Sequence, residues 1–458
     1  MAYGLYIIED KIMNILIIGA GEVGFHLTKR LTAEKHNITI IEQDPLIARR
    51  AEEQLDAALI IGSGSSYRDL LKAKIKETDI LAAISNSDEV NLLACRLAHK
   101  LNISFKIARI RNPEFIEPGF LLTREEMEVD LLIHPEKETA DAIIRLIRQS
   151  SATDIIEFAD GKIQMVGIRL EKNTPLSHKT IQDIWMEWGN IAARIVAIKR
   201  KQNTLIPRGD EILVPGDQFF VICDKQLIPK IVQLAGKENV LIQNIMILGG
   251  GLIGQYVARE LEDQLNVKII ESKSGKSQHV ADMLKKTLVL HGDGMDMDLL
   301  AAEGIMDMDS FIAVTGDDET NIILTLIARH IKVPRTIALV NKTEYMPITP
   351  TIGMDAVVSK TLITVNAITR FIREAPLASM ASIPGLDVEI IEIVPQAGSK
   401  ITKKPLKDCN FPRYAISGAI RRGDSALIPS GDTQIKEGDR VVVIALPRAI
   451  AEVEKLFK

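Results

Sequence analysis

The chain has 458 residues, of which 46% are hydrophobic and 26% charged, and a formal net charge of −5. That length exceeds one core and suggests about three or four domains at roughly 150 residues each, while the apolar and charged balance is that of a soluble globular chain and excludes disordered, collagen-like and disulfide-dense classes. The slight acidity, without a run of five or more Lys and Arg, argues against nucleic acid as a partner, and Cys95, Cys223 and Cys409 lie too far apart for a disulfide framework or a zinc site.

Residues 1–12 precede a second methionine, Met13, and receive no role. No apolar stretch approaches the roughly 18–20 residues needed to cross a bilayer, and the start lacks the basic, apolar and small-residue order of a signal sequence. The chain is therefore expected in the cytoplasm. From Asn14 onward, aliphatic runs (Ile15 to Ile18, Ile38 to Ile41, Ala58 to Ile61, Ile80 to Ile84, Ile107 to Ile110, Leu131 to Ile133) alternate with helical stretches. This is the rhythm of a parallel doubly wound sheet, and continuous β-branched runs suit strands covered on both faces. Glu138 to Gln149 then reads as a helix with Ala142, Ile143, Leu146 and Ile147 on one face. That stripe suits burial within its own domain or packing against another subunit.

From about Ser151 to Ala235 the text changes to short strands punctuated by Gly, Pro and Asp, as in Leu205-Ile206-Pro207-Arg208-Gly209-Asp210 and Pro215-Gly216-Asp217. Glycine accepts positive φ and aspartate bonds its own turn, so these pairs read as turns between strands. The whole order then repeats. Gly19-Ala20-Gly21-Glu22-Val23-Gly24 returns as Gly249-Gly250-Gly251-Leu252-Ile253-Gly254, a step of 230 residues, and Ser87-Asp88-Glu89-Val90-Asn91 returns as Asp317-Asp318-Glu319-Thr320-Asn321 at the same step. Thr364 to Arg373 repeats the helix, and Leu427 to Asp439 repeats the turns. The expected fold is α/β, with two Rossmann-like doubly wound parallel-sheet domains each followed by a small α+β domain. The expected boundaries are 13–135, a connecting helix 136–150, 151–235, 243–360, a helix 361–375, and 376–458.

The glycines carry a chemical expectation. Gly19 permits the tight turn after the first strand, Gly21 removes the side chain that would block a pyrophosphate, and Gly24 lets the helix approach the sheet. Phosphates would then meet the N–H groups at the helix N-terminus. Glu42, ending the second strand, can accept hydrogen bonds from ribose hydroxyls, which favours NAD(H) over its 2′-phosphorylated form. Gly249, Gly251, Gly254 and Glu271 are the same parts in the second half. Arg109 and Arg111 end the fifth strand of the first copy and suit a phosphate or carboxylate; the aligned residues are Leu339 and Asn341, so the second ligand should carry less phosphate charge or bind more weakly. Asp88, Glu89, Asp318 and Glu319 read as helix N-terminal charge and capping. None of the eight histidines, His26, His99, His291 and His330 among them, pairs with a partner at triad or metal spacing. That pattern points to a sensor rather than an enzyme.

Ile17 to Gly24, Ser85 to Asn91, Ile107 to Pro113 and Phe311 to Asn321 give the chain a specific resemblance. From Met13 onward it resembles the TrkA family, peripheral regulatory subunits of Trk-type potassium uptake systems built from tandem RCK (KTN) domains each followed by a TrkA-C domain. The resemblance implies binding of NAD(H) and of ATP or ADP, a cytosolic homo-oligomeric ring, and peripheral attachment to the inner face of the cell membrane through a Trk-type potassium-conducting subunit. It places the ligand against Gly19, Ala20, Gly21, Glu22, Val23, Gly24 and Glu42, with Ser85 lining the crevice and Arg109 and Arg111 reaching phosphates. The second set is Gly249, Gly251, Leu252, Ile253, Gly254 and Glu271. A regulator of another cation channel or exchanger, and an NAD-dependent dehydrogenase, are the alternatives.

Overall fold

The computed structural model describes residues 12–458 except 118, 149–153, 159–162, 189–191, 202, 237–241, 347, 348, 350, 351, 375–379, 383–385 and 424. Gln149, Ser151 and Pro376, where the sequence suggests element or domain limits, lie outside the described residues.

In the first half, β1 (Asn14–Ile18), β2 (Asn37–Glu42), β3 (Ala58–Ile61), β4 (Ile80–Ala83), β5 (Phe105–Arg109) and β6 (Leu131–Ile133) alternate with α1 (Glu22–Ala33), α2 (Pro45–Gln54), α3 (Tyr67–Lys72), α4 (Asp88–Lys100) and α5 (Pro135–Arg148). The strands lie parallel in the order β3-β2-β1-β4-β5-β6. Side chains alternate across the sheet as a two-residue period demands: Ile15, Ile17, Ile38, Ile40, Ile80 and Ala82 enter one buried cluster, and Leu16, Ile18, Ile41, Leu81 and Ala83 enter another. Strand order reverses between β1 and β4, so the crevice at their carboxyl ends is where such sheets take ligands.

The first small domain contains β7 (Asp154–Phe158), β8 (Ile163–Arg169), α6 (Ile181–Trp188), β9 (Ala193–Arg200), β10 (Asn203–Leu205), β11 (Gln218–Asp224) and α7 (Ile228–Leu234). The second parallel sheet is built from β12 (Asn244–Leu248), α8 (Leu252–Leu261), β13 (Asn266–Glu271), α9 (Ser274–Met283), β14 (Leu288–His291), α10 (Met297–Ala302), β15 (Ser310–Ala313), α11 (Asp318–His330), β16 (Arg335–Leu339) and β17 (Ala356–Val358). After it come α12 (Lys360–Glu374), β18 (Met380–Ser382), β19 (Glu389–Ile393), β20 (Ala415–Arg422), β21 (Ser425–Leu427), β22 (Arg440–Ala445) and α13 (Ile450–Phe457). The second parallel order, β14-β13-β12-β15-β16-β17, copies the first. The small antiparallel sheets, β10-β9-β11-β8-β7 and β18-β19-β22-β20-β21, also share one topology.

Chain order and packing part company at the connecting helices. The chain divides into two compact units, Met1–Glu138 with Lys360–Leu377, and Thr139–Ser359 with Ala378–Lys458. Helix α12 follows the second sheet in sequence, yet its Val365, Ile368 and Ile372 complete the cluster of Ile15, Ile17, Leu27, Leu31 and Ile133 in the first. Phe371 sets its ring edge-on to Phe105 at 6.1 Å, and Arg30 of α1 donates to Asn366 at 2.8 Å. In the other unit, Arg148 at the end of α5 pairs with Glu260 of α8 at 3.1 Å. The choice between own-domain burial and another subunit concerns the Glu138 to Gln149 stripe; its counterpart on α12 takes neither course and is buried against the other copy within the same chain. Both helices also begin a turn earlier than the stripe suggests, at Pro135 and Lys360. Proline presets φ for a first helical position, and a polar first turn adds nothing to an apolar period.

The two small sheets meet in the second unit through Met165, Val196, Phe220 and Ile222 on one side and Val388, Ile390, Val442 and Ile444 on the other. Gly418 is the extra residue of a β-bulge between β20 and β22; a Cβ there would stand 2.3 Å from Ile222 Cδ1 and 2.6 Å from Ile444 Cδ1, so those side-chain ends would have to move to admit one. In the turns, Gly216 and Gly438 adopt φ of +89° and +82°. Asp217 and Asp439, each 1% exposed, accept the Val214 and Lys436 N–H groups and receive bidentate bonds from Arg200 and Arg422. Gly209 and Gly431 do not take positive φ, so that part of the turn expectation is corrected.

Candidate functional site

The first crevice is shaped by backbone. Gly19 leaves β1 at φ +100°, and a Cβ there would stand 2.9 Å from the Ser85 backbone; at Gly24 it would stand 1.9 Å from the Gly19 carbonyl oxygen. At Gly21 a Cβ would meet nothing within 4 Å. Gly19 and Gly24 therefore serve close packing, whereas Gly21 faces open space at the N-terminus of α1. No side chain caps that N-terminus, although Asp44, Ser66 and Ser87 cap α2, α3 and α4. Uncapped N–H groups with positive dipole and open space above them suit an anion.

Glu42, 8% exposed, accepts the Ala20 N–H at 2.7 Å through Oε2 and the Asp44 N–H at 2.9 Å through Oε1. Ala20 thus contributes its amide to the acid, while Val23 faces the core cluster and Glu22 sits outward, 3.3 Å from Arg50. Ser85 lies across the crevice, donating to Asn91 from both N–H and Oγ, at 3.0 and 2.8 Å.

Asn91 was not singled out for a role by sequence reasoning. Fully buried, it donates to the Ser85 and Arg109 carbonyls at 3.1 and 2.8 Å and so ties the ends of β4 and β5 together. Asn321 does the same with Thr315 and Leu339. The repeat of this asparagine at the common step was the available signal. Asp88 also departs from its expected capping role: Ser87 caps α4, and the Asp88 carboxylate instead accepts the N–H groups of Arg111 and Asn112 at 2.9 and 2.8 Å. Asp317 caps α11, and Asp318 straps Asn341 and Lys342.

Arg109 is buried and donates to Asn86 at 3.2 Å, leaving its buried Nε without a hydrogen-bond partner. Burial, with Arg111 beside it, holds its pKa below the usual value, against the opposing carboxylates of Glu136 and Asp88. Arg111 is half exposed, with Nε 3.9 Å from Glu136. Burial pushes the Glu136 carboxyl up, but Lys360 of α12, at 3.2 Å, helps hold it below the ordinary range. The structure brings Arg109 and Arg111 to one acid at the first turn of α5.

In the second crevice Gly249, Gly251 and Gly254 repeat the loop: φ is +109° at Gly249, nothing stands within 4 Å of a Gly251 Cβ, and a Gly254 Cβ would stand 2.2 Å from the Gly249 carbonyl oxygen. Ile253 is buried and Leu252 partly exposed at the start of α8, which also lacks a side-chain cap. Glu271, 5% exposed, accepts the Gly250 N–H and the Lys273 N–H, both at 3.0 Å, and Lys276 at 2.6 Å. Leu339 is buried, and Asn341 is held by Asp318. Lys342, a cation near this end of the sheet, is bound by Glu319. Among the described residues no group of three or more His, Cys, Asp or Glu could hold a metal ion, and no helix is long and apolar enough to cross a membrane.

The TrkA-N domain model matches residues 15–135 and 245–360, and the TrkA-C domain model matches residues 165–236 and 390–458. The chain belongs to the TrkA family. Among TrkA relatives, the Trk system potassium uptake protein TrkA homolog 2 of Methanosarcina mazei is 35% identical, over 97% of this chain and all of the relative. Trk system potassium uptake protein TrkA of Azorhizobium caulinodans is 32% identical over 97% of this chain and 99% of its own. The GsuK RCK domain has a similar fold, with a TM-score of 0.61 at 20% identity over all of this chain and 98% of that one. A structure described as the GsuK channel bound to NAD gives a TM-score of 0.60 at 21% identity, over 98% of this chain and 80% of that one.

Proposed function

We propose that this TrkA-family chain is a cytosolic nucleotide-sensing subunit that regulates a Trk-type potassium-conducting membrane subunit. In this reading it assembles as a homo-oligomeric ring and attaches to the inner face of the membrane through that partner. The observation that carries the nucleotide part is the pairing, in each half, of an uncapped helix N-terminus over an open glycine with a buried acid one strand away. Potassium enters through the names of the full-length relatives, and NAD and ADP through the descriptions of two GsuK structures. The role is regulatory rather than enzymatic.

NAD(H), ATP and ADP would place their phosphates over Gly21 and the α1 N-terminus, with the adenosine ribose at Glu42. Arg109 and Arg111 would take the further phosphates of ATP. An incoming phosphate competes there with Glu136, which begins α5 and is held by Lys360 of α12, so occupancy changes the electrostatics where the two connecting helices start. Such a ligand shifts conformations only by its differential affinity: a tenfold preference supplies about 1.4 kcal/mol, and several sites in one ring add such terms. The test is calorimetry on the full chain with NADH, ATP and ADP, followed by potassium flux with the membrane subunit. Glu42→Ala should weaken NADH by about 1.5–3 kcal/mol, the range for hydrogen bonds to a charged group, and Arg109→Ala with Arg111→Ala should weaken ATP more than ADP. Equal affinities in the parent and both variants would refute the first site.

A further inference from the structure

The two acids have different numbers of acceptor positions left. A carboxylate offers about four. Glu42 uses one on each oxygen, for Ala20 and Asp44, and keeps one on each for a ribose diol. Glu271 uses one on Oε1 for Lys273 and both on Oε2, for Gly250 and Lys276. A diol would have to displace a lysine at 2.6 Å, and that lysine has already offset the carboxylate charge.

The surroundings differ in the same direction. Lys276 stands where the first half has Ile47, and Lys273 where it has Asp44. Asp44 caps α2 by accepting the Leu46 and Ile47 N–H groups, whereas α9 has no side-chain cap. A Cβ on Gly275, in the first turn of α9, would meet nothing within 4 Å. Around the acid, the first crevice thus presents Glu42 and Asp44, and the second presents one acid, the Lys276 ammonium and open space.

We propose that Lys276 makes the second crevice selective for an adenine dinucleotide phosphorylated at the ribose 2′ position, while the first takes the free diol. The inference rests on the nucleotide reading of these crevices. The 2′-phosphate meets Lys276, which also offsets the Glu271 charge that would otherwise repel it.

The experiment uses the full chain with Gly21→Val, which places a side chain where a pyrophosphate would approach the first loop, titrated with NADP+ and NAD+ by calorimetry. NADP+ should bind at least tenfold more tightly than NAD+. Adding Lys276→Met should move that ratio at least tenfold toward NAD+, and Ile47→Lys in a Gly251→Val chain should move the first crevice toward NADP+. NAD+ binding more tightly than NADP+, or a ratio unmoved by Lys276→Met, would overturn the assignment of Lys276 while leaving nucleotide binding intact. If the Gly21→Val chain binds neither dinucleotide, the nucleotide reading of the second crevice fails and this inference falls with it.

Discussion

Ile368→Ala tests the exchange of α12 directly. Ile368 is fully buried, among side chains of β1, α1 and β6 that precede it by more than 200 residues in the sequence. The change removes three carbons. At about 0.8 kcal/mol for each buried methylene, the transfer loss is about 2.4 kcal/mol. Incomplete collapse of a void of roughly 50 Å³ adds about 1.2 kcal/mol at ~24 cal/mol per Å³. The expected cost of about 3–4 kcal/mol should fall on the first parallel sheet. Hydrogen exchange followed by mass spectrometry should show faster exchange in α1 (Glu22–Ala33) and β1 (Asn14–Ile18), with little change in α8 (Leu252–Leu261). Faster exchange confined to the second sheet, to which α12 is adjacent in sequence, would refute the packing.

Gly24→Ala should destabilise by about 1–3 kcal/mol, the cost of overpacking, because its Cβ would collide with the Gly19 carbonyl oxygen, while Gly21→Ala should stay within about 0.5 kcal/mol; similar melting temperatures for the two variants would contradict this geometry. Burial alone would raise the Asp439 carboxyl, but Arg422 and the Lys436 amide hold it below its ordinary 3.8. Its contribution to stability is therefore complete above that value and lost as pH falls below it. Asp439→Asn should flatten the acid limb of a plot of stability against pH, and an unchanged limb would count against the pair. Burial pushes the Cys95 and Cys223 thiols up to about 12, whereas Cys409 is less buried. Iodoacetamide applied to the native chain at mildly alkaline pH should modify Cys409 first, as read by peptide mass spectrometry; early labelling of Cys95 would indicate that the first sheet opens.

β1 and β4, buried almost throughout, leave nearly unbroken aliphatic runs, and the half-exposed β3 keeps such a run as well, so the strands of the first sheet are legible within a residue or two. The glycine loops were legible because their steric demands are local. Partner choice was not. The stripe on α12 requires an apolar neighbour, and both copies offer a helix after the glycine loop, so its period does not choose between α1 and α8. Asp88 was read as a cap because Ser and Asp both suit that position; which of two adjacent residues caps depends on where the β5 loop passes. Asn91 carried a repeat signal but no chemistry until its two carbonyl partners were in place. The contrast between Ile47 and Lys276 lies five residues beyond each acid, and its meaning emerges only when the lysine is seen to fold back onto Glu271.

The crossing of α12 to the first sheet bears on how such a chain could arise and be divided. Cover lent to the first sheet by a helix that follows the second is a segment exchange written into one polypeptide. A lone first repeat, cut at the midpoint, would lack Val365, Ile368 and Ile372 and expose Leu27 and Leu31 of α1 to water. It would recover that cover only by borrowing a like helix from a second chain, which ties its folding to concentration. With both halves on one chain that cover is independent of concentration.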